Sequence, residues 1–485
     1  MFYNRFPYTD FSQKNLDWLI QTVREDAAQS SAATEAANNA AALANEKAAL
    51  ANEKAILANE KAGLAAAAAD SANAAAAAAQ SIVDDLEYVT PEMFGAAGDG
   101  VTDDTDAFQA AIDSGKMIKG FDNKYKVTSL TAGDTVIDHC NFVVDSSDQS
   151  VKCITVGTGK GLTLNSCTFK STNDQVINNS YGNGYTSNII FIYSAQGVSH
   201  LTVLNCEFVN GYEDITLTAT NDHQNGPVLI QNCRSSGSYT SISIFYCEDA
   251  RIDNCIIQQN SGAKNLSHIV YMSNGSANVC YITNSVLDGV SQGTVHGYHG
   301  SNYKFYLSNS TVKTLDDYAI LSSDSGDYVQ ATDCTFSCKR IITSQYGGTY
   351  RFYNCKISST GYLLGGEVYN NTDIMMVGCR ISGNNLNKIP AKFISCQIDL
   401  NSGSTTIFEA QNSDYYYNTF KYTSTSDNPI RITGGCRLLH NVFENTETTT
   451  FCWFASGSDN YAKDNVLVNI PNNSYGLVTT DNIFI

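Results

Sequence analysis

The chain has 485 residues, 43% hydrophobic and 16% charged, enough for a large buried core. Its formal net charge of −19 argues against a nucleic-acid partner, whose phosphates reward basic surfaces, and means that a polyanionic glycan would need local cations or bound counter-ions. Fifteen cysteines occur without a CxxC pair, and no secretory leader, lipidation box or apolar run of membrane-spanning length is visible, so no metal, cofactor or membrane insertion is expected.

Residues 1–26 carry Phe6, Pro7, Tyr8 and Phe11, then Leu16 and Trp18. This aromatic cluster is far too short to fold unaided. Beside a stalk it reads as a docking plug, with a disordered terminus as the plainer alternative.

Residues 27–86 are Ala-rich, and Leu43, Leu50, Leu57 and Leu64 recur every seven residues inside near-identical Leu-Ala-Asn-Glu-Lys-Ala units. A strict seven-residue repeat predicts a left-handed helical supercoil about 90 Å long. A lone helix would leave the leucine stripe in water, so the chain is expected to be oligomeric. The a and d positions stay ambiguous, and the number of strands cannot be read from them.

Residues 87–120 include Phe94-Gly95-Ala96-Ala97-Gly98-Asp99-Gly100-Val101-Thr102-Asp103-Asp104-Thr105. The glycines permit sharp turns, Thr102 or Asp103 can cap a helix, and Ala107, Phe108, Ala111 and Ile112 supply its apolar face. Asp99, Asp103 and Asp104 look like a catalytic or metal cluster, yet capping and turn roles explain all three.

From His139 to Ile485 a polar-small-x-apolar phrase keeps returning, as in Asn205-Cys206-Glu207-Phe208, Asn309-Ser310-Thr311-Val312 and Asn482-Ile483-Phe484. Its marker falls at 140, 167, 206, 233, 255, 285, 310, 334, 355, 379, 396, 418, 441, 465 and 482, about 24 residues apart, which is a solenoid period. The intervening segments alternate with period two and favour Val, Ile, Thr and Phe, as short strands do. Strands that bury one face by stacking on the next coil predict a mainly β fold, a right-handed parallel β-helix over 121–485. About 15 coils would make a rod of about 70 Å. Nine of the fifteen cysteines fall at the marker, and such cysteines are expected to be reduced, inward-facing core thiols.

Residues 94–105 and the helix after them resemble the opening motif of the pectate-lyase-like β-helix superfamily, widespread in phage tailspikes. The aromatic amino-terminal segments are similar to the virion-anchoring ends of tail or pre-neck appendage proteins of short-tailed phages. The resemblance covers nearly the whole chain and implies a homotrimeric virion component. It would attach to phage tail or collar proteins through residues 1–26, and bind and often cleave a bacterial surface glycan. Many relatives carry a distal trimerisation, chaperone or binding module, whereas this sequence stops in a coil.

Side chains at equivalent positions of neighbouring coils lie about 5 Å apart, so a site is sought as a column. One column follows the marker by 11 to 15 residues. It offers Glu248, His299 and Asp324 as catalytic groups, with His299 and Asp324 one coil apart, and Tyr246, His268, Tyr298, Tyr346 and Tyr369 as sugar-contacting groups. His296 and Glu367 fall in it too. Turn regions of any β-helix collect such residues, which is the structural alternative. A second acidic set joins Glu213 and Asp214 to Asp316 and Asp317. The functional expectation is a tail appendage that binds and depolymerises a host surface polysaccharide or teichoic acid. Its rivals are a non-enzymatic adhesive spike and a cellular pectinase-like enzyme; the stalk and aromatic plug disfavour the latter.

Overall fold

The structure is a computed structural model. It describes residues 87–484, apart from 145–149, 173–187, 262–267, 274–277, 291–292, 299–301, 316, 323–325, 345–346, 362, 365–371, 385, 387–389, 402–407, 424–429, 447–452, 457–459, 471–473 and 476–477. The expected anchor at 1–26 and stalk at 27–86 lie outside the described residues.

Beyond the opening helix, the described chain is a parallel β-helix of the right-handed type. Each coil visits a first sheet and then a second, and most reach a third. His200–Leu204, Glu207–Val209 and Glu213–Leu217 are one such set. The first and second sheets hold 17 strands each, while the third face is built from a nine-strand sheet and a later four-strand sheet. The nine-strand sheet ends at Arg340–Ser344, and the four-strand sheet begins at Phe408–Gln411.

The repeating phrase is the corner between the first and second sheets. All fifteen residues preceding the markers, from His139 through Asn205 and Tyr417 to Asp481, have φ between 48° and 64°. Asn and Asp tolerate this left-handed region better than other non-glycine residues, which explains why they dominate the position. The fifteen markers introduce fifteen strands of the second sheet. That sheet has 17 because Asp99–Asp103 and Lys124–Val127 precede the first marker.

The marker side chains point inward, and those from Cys140 to Asn465 are buried. Their small size suits a position where coils pass closely: at the corner before Cys140, a Cβ on Gly120 would lie 2.6 Å from the Cys140 Sγ. Cysteine thiols there donate to backbone carbonyls, Cys233 to Gln231 O at 3.2 Å and to Val203 O at 3.5 Å. From residue 418 onward the ladder becomes asparagine. The Asn441 Oδ1 accepts from the Asn418 N–H at 2.9 Å, and its Nδ2 donates to Tyr415 O at 2.9 Å. Beside the ladder runs an aromatic stack, Phe142 on Phe169 at 4.7 Å and Phe169 on Phe208 at 5.2 Å between ring centroids.

All fourteen described cysteines are free and buried. Desolvation pushes the thiols of Cys153, Cys280 and Cys338 upward, so their reactive thiolate form is suppressed. Titration of the native chain with an aromatic disulfide reagent should leave these thiols unmodified, and all should react after unfolding in guanidinium. Several equivalents consumed by folded protein would contradict a buried ladder.

The helix Thr105–Asp113 covers the first coils with Phe108, Ala111 and Ile112 buried beneath it. Its N-cap is Asp104, beyond the expected Thr102 or Asp103. The Asp103 carboxylate accepts from the Thr105 N–H at 3.0 Å. Asp104 turns away from the helix and accepts from the N–H groups of Ala97 and Gly98. Asp99 accepts from the N–H groups of Val101 and Thr102. Turn and capping bonds therefore account for all three aspartates. No helix among the described residues is long and apolar enough to cross a membrane.

Candidate functional site: the outward side of the third sheet

Strands of the third sheet do not alternate simply. In Glu213–Leu217, Asp214, Ile215 and Leu217 are buried inward, while Glu213 shares a hydrogen bond with Thr216 and so projects on the same side. The same out-in-in-out pattern recurs in the preceding coils, over Lys152–Thr155 and Ile190–Tyr193. Two outward columns three residues apart result. Lys152, Ile190, Glu213 and Thr240 follow one another in register in the first, and Thr155, Tyr193, Thr216, Ser243, Tyr271, His296 and Leu321 in the second. Extending the register places His268 above Thr240 and leads on to Tyr318, which pairs with Arg340.

Several of these outward groups are nonetheless covered. Thr216, Thr240, Ser243, His268 and His296 are buried, whereas Tyr193, Glu213, Tyr271, Tyr318 and Arg340 are partly exposed. His268 and His296 form a pair, Nε2 to Nδ1 at 2.8 Å, and the other His268 nitrogen lies 2.8 Å from Gly293 O. Tyr271 stacks on His268 with ring centroids 5.3 Å apart. The pair thus has fixed geometry beneath an aromatic ring.

Glu213 and Asp214 are adjacent in sequence but lie on opposite sides of the strand. Burial pushes the Glu213 carboxyl up to about 6, partly offset by the Thr216 hydroxyl. Asp214 sits inside the coil, where Ser235 and Ser238 hydroxyls each donate to it at 2.5 Å. Ser235 occupies the register position of Phe208, so a serine replaces an aromatic ring to admit the carboxyl. Desolvation pushes Asp214 up to about 7, against the lowering effect of those hydroxyls. Of the two, only Glu213 can meet a ligand from outside, with a proton affinity near neutrality suited to acid–base work. The stacked rings of Tyr212 and Tyr239, 5.1 Å apart, flank it at the preceding corner.

The single column expected from marker spacing is divided in the structure. His268 lies at the start of its third-sheet segment, His296 in mid-strand and Tyr298 at the end, paired with Ser273. Tyr246 follows its strand, has φ 50°, and its carbonyl accepts from the Asn225 N–H at 2.9 Å. Glu248 is exposed in the next bend. His268 is buried, not presented to solvent. Connections of unequal length between the second and third sheets shift the offset from the marker, so a fixed spacing could not hold these residues together. His299, Asp324, Tyr346, Glu367, Tyr369 and Asp316 lie outside the described residues, as do Phe6, Pro7, Tyr8, Phe11, Leu16 and Trp18. Asp317 is described, with its carbonyl accepting from the Arg340 N–H at 3.1 Å. The structure adds Lys152, Tyr193, Thr216, Tyr271 and Tyr318, which the doubled inward step marks in each strand.

No family model matches the chain. Among curated proteins it is similar to the capsule KN3-specific depolymerase 1 of Klebsiella phage KN3-1, 23% identical over 323 residues, covering 55% of this chain and 38% of that protein. It is also similar to the capsule K30/K69-specific depolymerase of Klebsiella phage K64-1, 45% identical over 53 residues, covering 10% of this chain and 7% of that protein. The matches thus span well under half the length of these relatives. Among solved structures, the amino-terminal fragment of bacteriophage Phi29 gene product 12 aligns with 84% of this chain and 73% of its own at 14% identity and a TM-score of 0.41. Tailspike protein 3 of bacteriophage CBA120 aligns with 84% of this chain and 60% of its own at 11% identity and a TM-score of 0.33. The chain is a parallel β-helix whose sequence relatives are phage capsule depolymerases.

Proposed function

We propose that this chain is a phage tail appendage of the tailspike kind, which binds and depolymerises a host surface polysaccharide through the outward side of its third sheet. It would be a virion component, homotrimeric, and held to the tail by residues 1–26. The observation that carries the reading is Glu213, a partly exposed carboxyl with raised proton affinity among tyrosines on a rigid strand. Curated relatives with depolymerase names support it. Glu248, His299 and Asp324 stay alongside as further catalytic candidates, with Tyr246, Tyr298, Tyr346 and Tyr369 as sugar contacts.

The test is incubation of the purified chain with cell-envelope glycans, teichoic acids included, following polymer length and new reducing or unsaturated ends. Shortened chains are expected, with Glu213→Gln losing about 10²- to 10⁴-fold in turnover while binding persists. Full activity in Glu213→Gln with loss in Glu248→Gln, His299→Ala or Asp324→Asn would move the site to the neighbouring bend and loops. A non-enzymatic adhesive fibre is the second reading, favoured by the burial of His268 and His296. Binding without shortening would establish it.

A further inference from the structure

We propose that the outward strip of the third sheet takes an acidic polysaccharide, gripped near its two ends by Lys152 and Arg340. This rests on the glycan-binding reading above and adds the charge class of the polymer.

In the strands of the nine-strand sheet, Lys152 and Arg340 are the sole Lys or Arg residues, and Glu213 and Asp214 the sole Asp or Glu residues. The two cations belong to the same outward column, seven coil steps apart, about 34 Å at the usual strand spacing. Each is held against a tyrosine of the strip. The Lys152 Nζ lies 3.5 Å from the Tyr193 ring centroid, and the Arg340 guanidinium 5.2 Å from that of Tyr318, whose hydroxyl it also meets at 2.6 Å. Among the described residues no carboxylate forms an ion pair with Lys152.

The acids of the same sheet do not oppose this. Asp214 is turned into the coil and bonded to serines. Glu213 is the one outward carboxyl within these strands, and burial raises its proton affinity; Asp317, partly exposed, borders the strip just before Tyr318. On a chain of net charge −19, nine strands bearing two outward cations and one weakly acidic outward carboxyl, with Asp317 at their border, are a local exception. A long polyanion would be steered to it and excluded from the rest of the rod. Such a polymer would further favour protonated Glu213, the form needed to give a proton to a leaving oxygen.

The experiment uses the full chain and immobilised capsular polysaccharides, both acidic and neutral, together with the acidic polymers after chemical reduction of their carboxyl groups. Reduction removes charge and keeps the linkages. Expected is retention on an acidic polymer, weakened about tenfold by carboxyl reduction and by a rise in salt. Lys152→Met and Arg340→Met keep much of the aliphatic stem, and each should weaken binding about threefold to tenfold with unchanged thermal melts. Retention on neutral polymers, equal binding to reduced polymers, or unaltered binding by both folded variants would overturn the inference alone. Retention on none of the polymers would overturn the glycan-binding reading with it.

Discussion

Asn441→Ala is expected to lower stability by roughly 3–5 kcal/mol, because each buried backbone group left without its partner costs about 1–3 kcal/mol. The wild-type side chain is fully buried and joins three coils. It accepts from the Asn418 N–H and Nδ2 and donates to Tyr415 O and to the Asn465 Oδ1 at 3.0 Å. Alanine leaves the Asn418 N–H without its acceptor, removes the donor to Tyr415 O and opens a small void. Asn441→Ser should recover a good part of the loss. Serines at the equivalent positions 285 and 310 already accept from the preceding marker's N–H, at 3.0 and 3.1 Å. Guanidinium unfolding followed by circular dichroism measures both. A loss under about 1 kcal/mol for alanine would mean that water or neighbouring asparagines replace the ladder bonds.

Asp214 should make the fold less stable as pH rises. Its carboxyl is raised to about 7 in the folded chain, from an ordinary value of 3.8, chiefly by desolvation. Below about pH 4 it is protonated in both states and exacts no penalty. Between pH 4 and 7 the unfolded chain ionises first and is increasingly favoured. Above pH 7 the full penalty applies, on the order of 4 kcal/mol. Glu213, raised to about 6, acts in the same direction and less strongly. Asp214→Asn should therefore flatten the decline, being more stable than wild type at pH 8 and no more stable at pH 4. Parallel stability curves for the two proteins across pH 4–8 would show that Asp214 does not carry the dependence.

The corner phrase was legible in the sequence because it is short, of constant length and chemically constrained on both sides. Asn232 and its equivalents adopt a left-handed conformation, and Cys233 and its equivalents must fit between coils. That fixed the fold and the inward thiols. The third sheet was less legible. Its strands follow connections of differing length, so counting from Cys255 and Ser285 brought His268 and His296 near each other without placing them. It also brought in Tyr246, which lies beyond its strand. The two consecutive inward residues hid the outward columns further, since Glu213 and Thr216 project together at a spacing of three, where simple alternation predicts two. The burial of Asp214 could not be read at all, because it depends on Ser235 standing where a phenylalanine stands one coil earlier.

The unvarying corner also makes the rod a sequence of exchangeable parts. From the first marker on, every coil leaves the first sheet through a left-handed residue and enters the second behind a Cys, Ser or Asn. A crossover between two genes at that point joins coils whose interfaces already fit, whatever loops hang from the third face. Repeat proteins gain stability mainly from nearest neighbours, so such a chimera disturbs a single junction. The corner is thus a natural recombination joint, through which a lineage can trade receptor-facing loops while the scaffold stays in phase.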